Sequence, residues 1–167
     1  MEWQPYELHP ELPPEGRPRE QRGATGPSRV QLMAQEAGLE MNTPAVTPNP
    51  HLAFEATEHA KAQGKGAEFH RAVFDAYWRR GLNIGMREVL LQVADEVGLP
   101  REPLDKALAE GACRDLVDQK LDAVRQLGVT AVPTFIFNGR YAVEGAYPYE
   151  LFRRVVTERL LKENKGS

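Results

Sequence analysis

The sequence predicts an α/β fold in which a small domain carries an α-helical insertion. Strand-forming residues lie near the start of the chain and again near its end, with a block of helix-like segments between them. The second observation is the stretch 128–139, where Pro133 stands immediately before the strand formers Thr134 to Phe137 and an Asn-Gly pair closes the run. Proline is tolerated at the first position of a strand, because it lacks only the N–H that a ladder would use. Asn138-Gly139 supplies two residues that accept positive φ, as a tight hairpin turn requires, and Tyr141-Ala142-Val143 completes the hairpin.

Taken in order, residues 2–8 read as a short strand, with Trp3 and Tyr6 contributing β propensity. Residues 9–27 hold prolines at 10, 13, 14 and 18 with Gly16, Gly23 and Gly26, and are expected to form a long loop without regular structure. Ser28 with Gln31 three residues on has the pattern of a capping box, opening a helix through Leu32, Met33 and Ala37 that stops at Gly38. After a connector with Pro44 and Pro48, Asn49 caps a second helix with Pro50 at its favoured first position. That helix carries Leu52, Ala53, Ala56 and Ala60 on one face and stops near Gly64. Phe69, Val73, Phe74 and Tyr77 recur at helical spacing before Gly81, with Trp78 beside them. Val89, Leu90, Val93, Ala94 and Val97 form the next stripe, and a short helix is expected around residues 104–108. The clearest amphipathic helix carries Cys113, Leu116, Val117, Leu121, Val124 and Leu127, in steps of three and four, with Gly128 as its stop. Beyond the hairpin, Pro148 opens a final helix with Leu151, Phe152, Val155 and Val156 inward, and residues 162–167 form a polar tail.

At 167 residues the chain suits one domain, or one small domain with an insertion, burying roughly 70% of its unfolded surface. Apolar content of 41% and charged content of 27% match a globular protein. A net charge of −3, with arginines scattered along the chain, offers nucleic acid no general attraction. No apolar run approaches the roughly 18 residues needed to cross a bilayer, so no membrane partner is expected. The start, Met1-Glu2-Trp3-Gln4-Pro5, has neither the basic opening nor the apolar core of a secretory leader, and a cytoplasmic location is the expectation.

Few residues carry recognisable chemistry. The single cysteine, Cys113, excludes an intramolecular disulfide. Near a helix start its thiolate would be favoured by the helix dipole, whereas its place in the apolar stripe suits a small packed hydrophobe. His9, His51, His59 and His70 include no pair at ligand spacing beside an acidic partner, and no metal is expected. Gly64-Lys65-Gly66 lacks the spacing of a phosphate loop, and no Gly-x-Ser-x-Gly elbow is present. Pro133 has two readings, an ordinary trans proline opening a strand or a cis proline turning the Val132 backbone outward to pair with an extended partner.

Residues 128–143 resemble the cis-proline loop and hairpin of the DsbA-like thioredoxin family, closest to its cytoplasmic FrnE-type branch. Gly145-Ala146-Tyr147-Pro148 resembles the entry into that family's last helix, the segment 3–10 the end of its second strand, and residues 49–90 its inserted helical domain. The resemblance implies a thioredoxin-like (DsbA-like) α/β fold with a helical insertion, and a cis bond before Pro133. It implies a remnant strand and loop at 1–27, the insertion at 28–110, and helix, cis-proline loop, hairpin and last helix at 111–167.

It also implies an absence. Family members reach the segment equivalent to residues 2–10 only after a first strand and a Cys-x-x-C, neither of which this sequence contains. The fold is therefore expected to be N-terminally truncated, and a strand at 2–8 would lack its neighbour. Three explanations stand: a start misplaced downstream of the dithiol, which is favoured; a truncated remnant; or a chain that recruits a strand from a partner. The function implied is that of a thiol–disulfide oxidoreductase family member without its catalytic dithiol. Val132 and Pro133 are then the substrate-binding residues for an extended or unfolded polypeptide, with no catalytic residue and no cofactor in the chain. The alternatives are a glutathione-dependent isomerase or transferase of the kappa type, with glutathione as partner, and a non-catalytic peptide-binding module. The oligomeric state is left open.

Overall fold

The computed structural model describes residues 2–19 and 26–160, so the expected tail at 162–167 lies outside the described residues. The chain divides into two compact units, Met1–Leu121 and Asp122–Ser167.

The first unit is helical. Its core elements are α2 (His51–Ala62), α3 (Gly66–Phe74), α4 (Arg87–Glu96) and α5 (Arg101–Glu110), with a wide π turn at Asp75–Arg79 continuing α3. Ala53, Ala56 and Ala60 of α2 are buried, and their small side chains let α3 approach closely. Phe69, Val73, Ala76 and Tyr77 bury the facing side, and Leu90, Leu91, Val93 and Ala94 of α4 with Leu104 and Leu108 of α5 close the core. Helix α5 is longer than the short helix expected, because Pro103 falls within its first turn, where a missing N–H costs nothing. Phe74, expected inward, is 52% exposed: Val73 takes the buried position beside it, and Phe74 instead lies against the His70 ring.

Helix α1 (Arg29–Glu36) opens on the capping box read from the sequence, with the Ser28 side chain accepting from Gln31 N and the Gln31 side chain accepting from Ser28 N. Pro50, expected as the first helical residue, is instead the N-cap of α2, so the helix begins one residue later than predicted, with Asn49 Oδ1 accepting from His51 N at 3.0 Å.

Two expectations for the N-terminal segment are corrected. Residues 2–8 form no strand. Among the described residues no strand lies beside them, and they are held by side chains: the Trp3 ring stacks on His70 at 4.8 Å, Lys61 Nζ donates to Trp3 O at 3.2 Å, and Pro5 is buried. The loop that follows is not wholly irregular. β1 (Arg17–Pro18) pairs antiparallel with β2 (Val46–Thr47), in register Arg17 to Thr47. Gly16 makes this pairing possible, since it sits at φ +78° with its α-carbon pressed against the strand opposite; a Cβ there would lie 2.5 Å from Thr47 O.

Helix α6 (Arg114–Gln126) reaches across the division between the units. Its buried stripe is narrower than expected: Val117, Leu121 and Val124 are buried, while Leu116 and Leu127 are exposed. The second unit holds β3 (Thr134–Phe137), β4 (Tyr141–Glu144) and α7 (Tyr149–Arg154), which widens into a π turn at Val155–Leu160. The strands pair antiparallel in register Thr134 to Glu144 and Phe137 to Tyr141. Asn138 and Gly139 adopt φ 50° and 66°, as their sequence predicted for the turn. Phe135 meets Phe152 of α7 edge to face at 4.7 Å, joining hairpin to helix. Val156, expected inward, is exposed, because the helix widens from Val155 and carries it off the packed face.

Candidate functional site

The hairpin unit places Val132 and Pro133 at the entry to β3. Their peptide bond is cis. Pro133 O accepts from Gly145 N at 2.7 Å, fastening the loop to the end of β4, and Thr134 Oγ1 donates to Ala131 O at 2.7 Å on its other side. Val132 is 45% exposed, and no backbone hydrogen bond among the described residues uses its N–H or C=O. Among the described residues β3 pairs only with β4, so the other edge of β3 carries unpaired backbone groups. Ile136 lies exposed farther along the strand. An unfilled donor and acceptor at the head of an open strand edge can accept the backbone of an extended chain.

Cys113 lies in the helical unit, just before α6. Burial pushes its thiol above the ordinary cysteine range, and the carboxylates of Glu55 and Glu58 push it further. The helix-dipole reading is thus outweighed, and the thiol behaves as a partly buried, protonated side chain.

The polar residues that the sequence does not single out lie on α2. Glu58 is 7% exposed and bridges two lysines, Lys61 Nζ at 2.7 Å and Lys120 Nζ at 2.6 Å. Burial raises its carboxyl, but the hydrogen bonds from Lys120 and Lys61 outweigh that and hold it below the ordinary carboxylate range. His51, which spacing excludes as a metal ligand, has another partner: its Nδ1 lies 3.0 Å from Glu7 Oε1. Spacing gave no signal for them, since at helical period Glu55 and Glu58 fall on the face opposite Ala53, Ala56 and Ala60, and α2 is buried on both sides. Among the described residues no three His, Cys, Asp or Glu side chains converge in a way that holds a metal ion.

The family model of the DSBA-like thioredoxin domain matches residues 1–157. The chain belongs to this DsbA-like family. An uncharacterized protein of Bacillus subtilis (strain 168), YwbO, is 35% identical over 173 residues, which cover 98% of this chain and 84% of that relative. The ClpXP adapter protein SpxH of the same organism is 30% identical over 128 residues, 71% of this chain but 42% of SpxH. Among solved structures, a probable DsbA oxidoreductase from Streptomyces coelicolor superposes with a TM-score of 0.80 at 24% identity, covering 93% of this chain and 73% of that one. A 2-hydroxychromene-2-carboxylate isomerase superposes with a TM-score of 0.66 at 21% identity, covering 84% and 74%. The two structures establish a shared fold. The DsbA-like thioredoxin fold expected from residues 128–143 is thereby the fold of this chain, with many helices and few strands.

Proposed function

We propose that this chain is the substrate-side platform of a thiol–disulfide oxidoreductase, taking an extended or unfolded polypeptide along β3 at Val132 and Pro133. The observation that carries the reading is the Val132 backbone, half-exposed and without a backbone hydrogen-bond partner among the described residues, at the head of an open strand edge. A substrate strand there gains main-chain hydrogen bonds from the platform, while its disulfide lies beside the proline. The chain holds no dithiol, because Cys113 is its single cysteine. A mixed disulfide formed on one thiol has no resolving partner within the chain, so no disulfide exchange cycle closes on it alone. On this reading the 167 residues bind client polypeptide without turning over disulfides, in the reducing cytoplasm where lone thiols persist.

The test has two arms. In the dithiothreitol-driven reduction of insulin, the chain is expected to match its Cys113→Ser variant, and turnover well above that control overturns the loss of dithiol activity. In a fluorescence-anisotropy titration with a cysteine-free extended peptide, saturable binding is expected. Val132→Pro, which deletes the N–H, should weaken it at least tenfold. No binding by the unaltered chain, or equal binding by the variant, removes the platform reading.

The shared fold with an isomerase keeps a second reading in view, a glutathione-dependent isomerase or transferase of the kappa type. Saturable binding of glutathione in competition with the peptide would favour it over the polypeptide platform.

A further inference from the structure

Helix α1 differs from the other α-helices of the helical unit in two respects, and neither involves the hairpin. No side chain in it is buried, and its large apolar residues Leu32 and Met33 are 46% and 40% exposed. Its end charges also oppose its own dipole, with Arg29 in the first turn and Glu36 in the last. Every other α-helix of the described residues has an acidic residue in its first turn or a basic one in its last; α1 has neither. Among the described residues no side chain forms an ion pair with Arg29 or Glu36.

The helix shows which way these residues face. With about 3.6 residues per turn, Arg29, Leu32, Met33 and Glu36 share one side, because each is three or four residues from the next in its row. All four are exposed. Gln31 and Ala34 lie on the opposite side and are partly buried, and Gln31 Nε2 donates to Thr43 Oγ1 at 3.1 Å. That side therefore rests on the chain's own connector, and the four-residue face points away from it. Two turns of helix are marginal by themselves, so α1 is stabilised when this outward face is covered.

The face specifies what covers it. It carries a cation at one end, an anion at the other and two apolar side chains between, an order that complements itself when reversed. A two-fold axis between residues 32 and 33 brings Arg29 beside Glu36 of a second copy, Glu36 beside that copy's Arg29, and Leu32 against its Met33. Each charge then also lies at the end of the second helix whose dipole favours it, which offsets the mismatch within its own helix. A parallel arrangement puts like charges together at both ends and is disfavoured. We infer that the chain self-associates through this face, two α1 helices packing antiparallel across a two-fold axis. Four side chains a copy are far fewer than the roughly 20–30 residues a side of a standard interface, so the dimer is weak and reversible.

Sedimentation velocity on the full chain over a concentration series tests this, because the charges can be exchanged between copies. The unaltered chain is expected to shift from monomer towards dimer as concentration rises. Arg29→Glu and Glu36→Arg alone each set like charges against each other and should weaken self-association at least tenfold. An equimolar mixture of the two variants restores both opposite-charge pairs and should associate as tightly as the unaltered chain. The double variant restores them within one chain and should also self-associate, which keeps the test decisive if a single variant fails to fold. A monomer at every concentration, single variants that associate as well as the unaltered chain, or a mixture no tighter than its components overturns the inference. Loss of the dimer in Val132→Pro overturns it too, since association then runs through the open edge of β3; the peptide-binding reading of that edge is tested separately.

Discussion

At the scale of single residues, Cys113 shows how surroundings rather than residue type decide reactivity. A thiol near a helix start is expected to ionise readily, yet burial and the facing carboxylates of Glu55 and Glu58 hold it protonated above its ordinary range. Alkylation by iodoacetamide at pH 8 should therefore run several-fold slower than that of free cysteine, and should keep rising above pH 9 where free cysteine has levelled off. Mass spectrometry of quenched samples measures both. A Glu58→Gln variant removes one of the opposing charges and moves the rise to lower pH. That variant also strands Lys61 and Lys120 without their carboxylate, and urea unfolding should register a loss of about 2 kcal/mol.

At the scale of elements, the short β1–β2 ladder depends on one backbone geometry. Gly16→Ala forces a side chain into a left-handed conformation and against Thr47 O, so it should cost more than about 1 kcal/mol, read as a lowered urea midpoint with an unchanged slope. This ladder was not legible in the sequence, because two-residue strands have no periodicity to read and Arg17-Pro18 has no strand propensity. Elements with strong local chemistry were legible: the Ser28–Gln31 box and the Asn138-Gly139 turn appear where their residues predicted, and α2 starts within one residue of its expected cap. The strand expected at residues 2–8 failed for a different reason. Strand propensity is realised only beside another strand, and the neighbours of Trp3 and Pro5 are helices.

At the scale of the whole molecule, the buried side chains of the helical unit concentrate around Phe69, which is fully buried between α2 and α4 residues. Phe69→Ala should cost about 3–5 kcal/mol, a large part of the roughly 5–15 kcal/mol that holds a domain folded, and chemical denaturation monitored by circular dichroism will show it. Periodicity foretold that core, since alanines and large apolar residues recur at helical spacing through α2, α3 and α4. It did not foretell the burial of Glu55 and Glu58. Glu58 has a local partner in Lys61, three residues on, and a second in Lys120, distant in the chain, whereas among the described residues neither lysine reaches Glu55.

The stack of Trp3 on His70 gives the molecule an optical reporter of its own. A protonated imidazole against an indole ring quenches its emission, whereas a neutral one does so weakly. Burial, and then the nearby charge of Lys61, holds the His70 ring neutral below the usual histidine range. Dimming of Trp3 on acidification should therefore set in at lower pH than for a histidine free in solution, about 6.5, with Trp78→Phe used to isolate the signal. Because the folded chain disfavours the imidazolium, acid also weakens folding across the interval from the free value down to the depressed one. Stability should begin to fall near the free value, while the light output holds until the depressed one is reached, and in His70→Phe both responses should flatten.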